Sequence, residues 1–201
     1  MDFAALAQEC APWVAHETMA AIVRTESSFK PLAIGINGGA KLTRQPENKA
    51  EAVATAKWLI ANGYNIDMGL GQVNSANLPK LGLSVENMFD PCQNIAASAT
   101  ILHGNYARAK SQTQNDQAAL HAALSAYNTG SFTRGFSNGY VQRVVSNAGG
   151  SAPSAPIRLT AQKPAKPGKA KHAPTKQTAP APQPETDDVY SRNIKSVMVY
   201  E

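Results

Sequence analysis

The sequence predicts a mostly α domain over residues 1–150, followed by a tail of different composition over 151–201. Three observations predict this. Apolar residues recur at three- and four-residue steps through successive segments before Gly150. Branched apolar runs long enough to build a sheet are absent. The 201 residues are 43% hydrophobic and only 16% charged, which suits one domain with a core plus an appendage, and argues against a wholly disordered chain.

Ala15, Met19, Ile22 and Glu26 fall on one helical stripe, and Pro31 closes that helix from beyond its end. Residues 47–62 repeat the pattern with Ala50, Val53, Ala56 and Ile60 (or Leu59), ending at Asn62-Gly63. Residues 91–109 carry Ile95, Ala99, Leu102 and Tyr106, with Pro91 suited to a first turn. Residues 116–127 carry Leu120, Ala123 and Tyr127, with Asn115 or Asp116 as N-cap. A last helix over 138–147 carries Tyr140, Val141, Val144 and Val145. Loops rich in Gly and Asn are expected at 35–46, 63–77 and 128–137, with a short β-hairpin in 34–44 around Asn37-Gly38-Gly39. No apolar run reaches the ~20 residues of a membrane span.

A net charge of +5 suggests an anionic partner such as nucleic acid. The charge is unevenly placed, however. Residues 1–150 hold 11 Lys+Arg and 10 Asp+Glu, whereas 151–201 hold 8 and 4. The stretch 151–184 carries six bases, no acid, and the Ala/Pro/Lys/Thr bias of an extended, disordered segment. The end, from Asp187 to Tyr200, turns acidic and regains apolar residues, which reads either as a docking peptide or as an untidy terminus. Aromatic interleaving and nucleic-acid-binding motifs are missing, so nucleic acid is not the expected partner.

Glu26 is the informative residue. It continues the apolar stripe of its helix, so its carboxyl is expected at the border of the core, where desolvation disfavours the charged form. A carboxyl with a raised pKa is what a general acid near neutral pH requires. The plainer reading is a Glu turned to solvent or capping a neighbour.

The order of short segments favours the acid: Glu26-Ser27-Ser28-Phe29-Lys30-Pro31, then Gly69-Leu70-Gly71-Gln72-Val73-Asn74, then Ala126-Tyr127-Asn128-Thr129-Gly130, then Gly139-Tyr140-Val141. Over about residues 10–147 the chain resembles the lytic transglycosylases with the soluble-lytic-transglycosylase, goose-type-lysozyme-like fold. Further stretches resemble the subgroup that serves type IV secretion systems: Cys10-Ala11-Pro12, Thr18-Met19-Ala20-Ala21-Ile22-Val23, Leu32-Ala33-Ile34-Gly35-Ile36-Asn37, Arg44-Gln45-Pro46, Asn65-Ile66-Asp67-Met68 and Asp90-Pro91-Cys92. The resemblance implies a lysozyme-like domain with a glycan groove between the Glu26 helix and the loops at 63–77 and 128–137. It also implies an enzyme that cuts the β-1,4 bond between N-acetylmuramic acid and N-acetylglucosamine to a 1,6-anhydro product, opening the wall for secretion assembly. Its partners would be peptidoglycan strands and, through the tail, secretion subunits. A periplasmic location follows, although no basic residue precedes Arg24 to mark an export signal and the chain alone reads as cytoplasmic.

The same resemblance assigns roles. Glu26 is the catalytic acid. Tyr127 is expected to hydrogen-bond near it, unless it is a core Tyr bonded to a backbone carbonyl. Gln72, Asn74 and Asn128 would bind sugar hydroxyls or N-acetyl groups, and Ser27 would either bond the Glu26 carboxylate or end the helix. Gly69 and Gly71 would let the backbone approach the glycan. Asp67, just before the glycine loop, is the nearest second carboxylate and reads better as a loop or capping residue. Cys10 and Cys92 lie in stretches that resemble the subgroup. A disulfide between them would suit the periplasm, against two buried free thiols. His16, His103 and His121 lack metal-ligand spacing, and no metal or organic cofactor is implied. Two other functions compete: a lysozyme-type hydrolase on the same fold, and a noncatalytic wall-binding assembly factor, which the intact Glu26, Gln72 and Tyr127 count against.

Overall fold

The computed structural model describes residues 2–149 and the backbone of residues 199 and 200. The basic stretch 151–184, with His172, and the acidic segment from Asp187 onward lie outside the described residues, apart from that backbone pair.

The chain opens with α1 (Phe3–Cys10), capped by the Asp2 side chain on the Ala4 N–H, and α2 (His16–Ser27). Then come β1 (Ile34–Ile36), β2 (Lys41–Leu42) and α3 (Lys49–Ala61), which the Asn48 side chain caps at Glu51. Next are β3 (Ile66–Met68), β4 (Val73–Asn74), a 3-10 turn (Ser75–Asn77), and the short helices α4 (Leu78–Leu81) and α5 (Val85–Met88). The helix α6 (Pro91–Lys110) begins with Asp90 as N-cap and Pro91 in its first turn. α7 (Asp116–Thr129), with Asn115 as N-cap, α8 (Arg134–Ser137) and α9 (Tyr140–Asn147) complete the described domain. The helices expected from periodicity are therefore α2, α3, α6, α7 and α9.

Two apolar clusters form the core. One joins α1, α2, α6, α7 and α9 through Ala7, Met19, Ile22, Ile95, Leu102, Ala123, Val141 and Val144. The other packs the small sheet against α3 and α5 through Ile34, Ala56, Leu59, Met68, Val73 and Met88. α6 contributes to both, Ile95 and Ala99 to the first and Ala97 to the second, so it is the partition between the lobes.

The expected hairpin over 34–44 does not form. β1 pairs antiparallel with β3 (Ile34 opposite Met68, Ile36 opposite Ile66), and β3 pairs with β4 (Asp67 opposite Asn74). β2 pairs instead with the backbone of Val199–Tyr200, which is β5. The physical reason is visible at the edge of β1. The Gln45 side-chain amide accepts from the Ile34 N–H at 2.8 Å and donates to the Ile34 carbonyl at 3.0 Å, occupying the groups a hairpin partner would use. At the end of the strand, the Asn37 N–H donates to the Asn65 carbonyl at 2.9 Å and carries the chain toward β3. The strands in 63–77 replace an expected loop. At two or three residues each, they are too short to show a two-residue period.

The loop between β3 and β4 is locked onto α6. Asn94, 1% exposed, accepts from the Gly71 N–H at 2.8 Å and donates to the Met68 and Met88 carbonyls at 2.9 Å each. The glycines here leave room for that packing. A Cβ on Gly69 would lie 2.3 Å from the Asn94 amide, and one on Gly71 2.0 Å from Ser98 Oγ.

Candidate active site

Glu26 lies in the last turn of α2, one step beyond the buried Met19 and Ile22 on the same stripe. The chain leaves this helix through Ser28 and Phe29, both with positive φ (51° and 62°). Left-handed backbone is unfavourable for residues with a Cβ, so this exit is held by its contacts. The Ser28 N–H donates to the Arg24 carbonyl at 3.2 Å, and the Phe29 ring packs edge-on against Phe3 at 5.1 Å. Among the described residues the third non-glycine with positive φ is Gln72 (47°), also at this site. Backbone strain is thus concentrated where Glu26 and the glycine loop meet.

The Glu26 side chain opens into a cavity of about 470 Å³ between the two lobes. Gln72, Asn74, Tyr127 and Asn128 line the same cavity, together with Asp67. Ser27 does not: it is buried, and its hydroxyl donates to the Val23 carbonyl at 3.2 Å within its own helix. Gln72 is held by its amide, which donates to the Gly69 and Ala33 carbonyls at 2.9 and 3.1 Å. Asn128 accepts from the Asn138 amide at 3.0 Å.

Tyr127 is not the partner of Glu26. Its hydroxyl donates to the Gly71 carbonyl at 2.6 Å, tying α7 to the glycine loop. The partner is Tyr140, 1% exposed, whose hydroxyl donates to Glu26 Oε1 at 2.5 Å. Asn138 Oδ1 accepts from the Tyr140 N–H at 2.9 Å and fixes the start of α9 beneath the carboxyl. Sequence reasoning missed this role although the signal was present. Tyr140 stands on the buried stripe of the last helix, where a phenol needs a partner.

Asp67 is also misread from sequence alone. It lies on β3 and not in a loop. Its carboxylate accepts from the Asn74 amide at 2.7 Å and the Asn37 amide at 2.9 Å. Asn65 completes this cross-strand network, accepting from the Asn37 amide at 2.8 Å and the Asn74 amide at 2.6 Å.

These surroundings raise the Glu26 pKa to about 7. Loss of water on burial is the main cause. The Tyr140 hydrogen bond opposes it, the Asp67 charge adds to it, and the Arg143 charge opposes it. Burial and the Glu26 charge also push both tyrosine hydroxyls upward, so they remain donors throughout the neutral range. A carboxyl half-protonated near neutrality, set in a cavity walled by side-chain amides, can give a proton to an acetal oxygen and take one back.

Tyr140→Phe tests this balance. The lost hydrogen bond favours the ionised form of Glu26, so its removal moves the Glu26 pKa further up. The alkaline limb of a pH–activity profile is expected to shift to higher pH, and the maximal rate to fall by roughly tenfold as the carboxyl loses its anchor. An unshifted limb would place Tyr140 outside the titration of Glu26.

The disulfide Cys10–Cys92 joins the end of α1 to the first turn of α6, with Cα atoms 5.2 Å apart. Among the described residues no group of three His, Cys, Asp or Glu is arranged to hold a metal, and no helix is long and apolar enough to cross a membrane.

The chain is 48% identical over 154 residues to the type IV secretion system protein virB1 of Brucella suis, a match covering 74% of this chain and 64% of that protein. It is 40% identical over 143 residues to the protein virB1 of Agrobacterium fabrum, covering 71% and 58%. The chain thus spans less than two thirds of the length of these curated relatives. No solved structure matches it significantly. Residues 3–147, which include Glu26, Tyr140 and the whole cavity lining, match the transglycosylase SLT domain, and the chain belongs to that family.

Proposed function

We propose that this protein is a peptidoglycan lytic transglycosylase that opens the cell wall for a type IV secretion system. The observation that carries the reading is the partly buried Glu26 carboxyl, bonded to Tyr140 and facing a cavity rich in Asn and Gln amides. The secretion context is supported by the printed names of the virB1 relatives. The catalytic unit is assigned to residues 1–150, with 151–201 as a basic tail that tethers it to the wall or to secretion subunits. A periplasmic location is supported by the Cys10–Cys92 disulfide, since oxidising compartments preserve such bonds.

In this mechanism Glu26 protonates the oxygen that leaves from C1 of N-acetylmuramic acid. The bond breaks with oxocarbenium character, and the N-acetyl oxygen of the same sugar shields C1. The C6 hydroxyl then attacks C1, and the Glu26 carboxylate takes back its proton. No water is consumed, and the product ends in a 1,6-anhydro ring. Attack from within the same sugar benefits from high effective molarity. Gln72, Asn74 and Asn128 hold hydroxyl and N-acetyl groups, and Tyr140 aims the carboxyl.

A second reading, a lysozyme-type hydrolase, is favoured by one observation: Asp67 faces the same cavity as Glu26 and would stabilise a cation or orient a water. Digestion of purified wall in ¹⁸O-water separates the two. Unlabelled anhydro-muropeptides in the mass spectrum are expected; labelled reducing ends would assign the hydrolase. An intact wall would leave the noncatalytic assembly factor.

A further inference from the structure

We propose that Arg108 and Lys80 form a subsite for a carboxylate carried on the muramic-acid arm of the glycan, and so set which glycosidic bond reaches Glu26. This deepens the proposed wall-cleaving function and rests on it. Both cations line the cavity that holds Glu26. Among the described residues they are the only Lys or Arg in the cavity lining, whose acids are Glu26 and Asp67. Neither Arg108 nor Lys80 has a carboxylate partner among the described residues.

Arg108 is also held in place. Its Nη2 donates to Asn105 Oδ1 at 2.6 Å, and its guanidinium lies 5.5 Å from the centre of the Phe132 ring. Asn105 is 7% exposed, so the acceptor that aims the guanidinium is itself fixed. A neutral acceptor and a ring orient the fork without neutralising it, and leave N–H donors for a planar anion. Asn105 and Arg108 follow Ile101 at positions i+4 and i+7, so one face of α6 forms this wall, and Arg108 stands about 10 Å along the axis from Ile101. Besides Glu26, the lining's other acid is Asp67, whose carboxylate is already occupied by two amides.

The sugars of the wall are neutral. Negative charge enters at every second residue, where muramic acid carries its lactyl arm, as the arm's own carboxylate or as carboxylates of an attached peptide. A cationic subsite at a fixed position on the groove wall therefore reads the register of the alternating strand. An N-acetylglucosamine oligomer offers it nothing.

Binding to the 201-residue Glu26→Gln chain, which leaves the ligand intact, tests this by calorimetry. The probes are a neutral N-acetylglucosamine oligomer, a muramic-acid-containing strand stripped of peptide, and the same strand with peptide. At least tenfold tighter binding of a charged strand than of the neutral oligomer is expected, weakening with added salt. In Arg108→Gln/Lys80→Gln the ratio is expected to fall to about threefold or less, with Arg108→Lys retaining part of it. Tighter binding of the stripped strand assigns the lactyl carboxylate, and of the peptide strand the peptide carboxylates. Equal binding of neutral and charged strands, or a ratio unchanged in the folded double variant, overturns the subsite alone. Binding of none of the three overturns the wall-cleaving function as well.

Discussion

Glu26→Gln is expected to lower wall cleavage by about a thousandfold and, at pH 8, to make the protein more stable. The amide keeps the shape of the carboxyl and an acceptor for the Tyr140 hydroxyl, but it has no proton to give to the leaving oxygen. The gain in stability follows from the raised pKa. Glu26 binds its proton up to about pH 7 when folded, against about 4.5 for an ordinary Glu. Between those values the folded state holds more protons than the unfolded one. Stability is therefore complete below about pH 4.5 and declines as pH rises through 7. Above that, the buried ionised carboxyl costs roughly 3 kcal/mol, which the amide does not incur. Urea melts followed by circular dichroism are expected to favour the variant at pH 8 and to lose that advantage near pH 5. An active variant would remove Glu26 as the acid. A variant without the pH-dependent gain would remove the buried charge.

Replacing Cys10 and Cys92 with Ser is expected to destabilise the fold by about 4–5 kcal/mol, from the entropy released to the unfolded chain by opening an 82-residue separation. The disulfide anchors α1, and Phe3 at the start of α1 supports Phe29, one of the two residues with positive φ that end the Glu26 helix. Loosening α1 therefore also weakens the support of the catalytic turn, and activity at 37 °C is expected to fall more than unfolding alone explains. Urea midpoints of the double Ser variant and of wild type with and without reductant measure the loss. A change below about 1 kcal/mol would mean that the packing of α1 against α6 suffices without the bond.

The long helices were legible because each buries a stripe. Met19 and Ile22 on α2, Ile95 and Leu102 on α6, and Val141 and Val144 on α9 repeat at helical steps and are all buried. Glu26 was legible for the same reason, as the polar residue that continues such a stripe. The sheet was not, since Ile34–Ile36, Ile66–Met68 and Val73–Asn74 are too short to carry a period, and the partner of β1 is chosen by Gln45 and Asn37 across long sequence distances. The exchange of Tyr127 for Tyr140 has a similar origin. Both phenols lie on apolar helix faces and both need acceptors. Which of them meets Glu26 depends on where α9 lands, 114 residues away along the chain. Asp67 read as a capping residue because its two amide partners come from distant sequence, Asn74 on β4 and Asn37 just past the end of β1.

Central to this account is a carboxyl that burial holds protonated to near neutrality while Tyr140 keeps it aimed at the cavity. Titration of ¹³C-labelled Glu26 by NMR in the wild-type protein measures that state directly. The expected midpoint is about 7, coinciding with the alkaline limb of wall cleavage. A midpoint at the ordinary Glu value of about 4.5 would contradict it, leaving Glu26 ionised and without a proton to give at neutral pH.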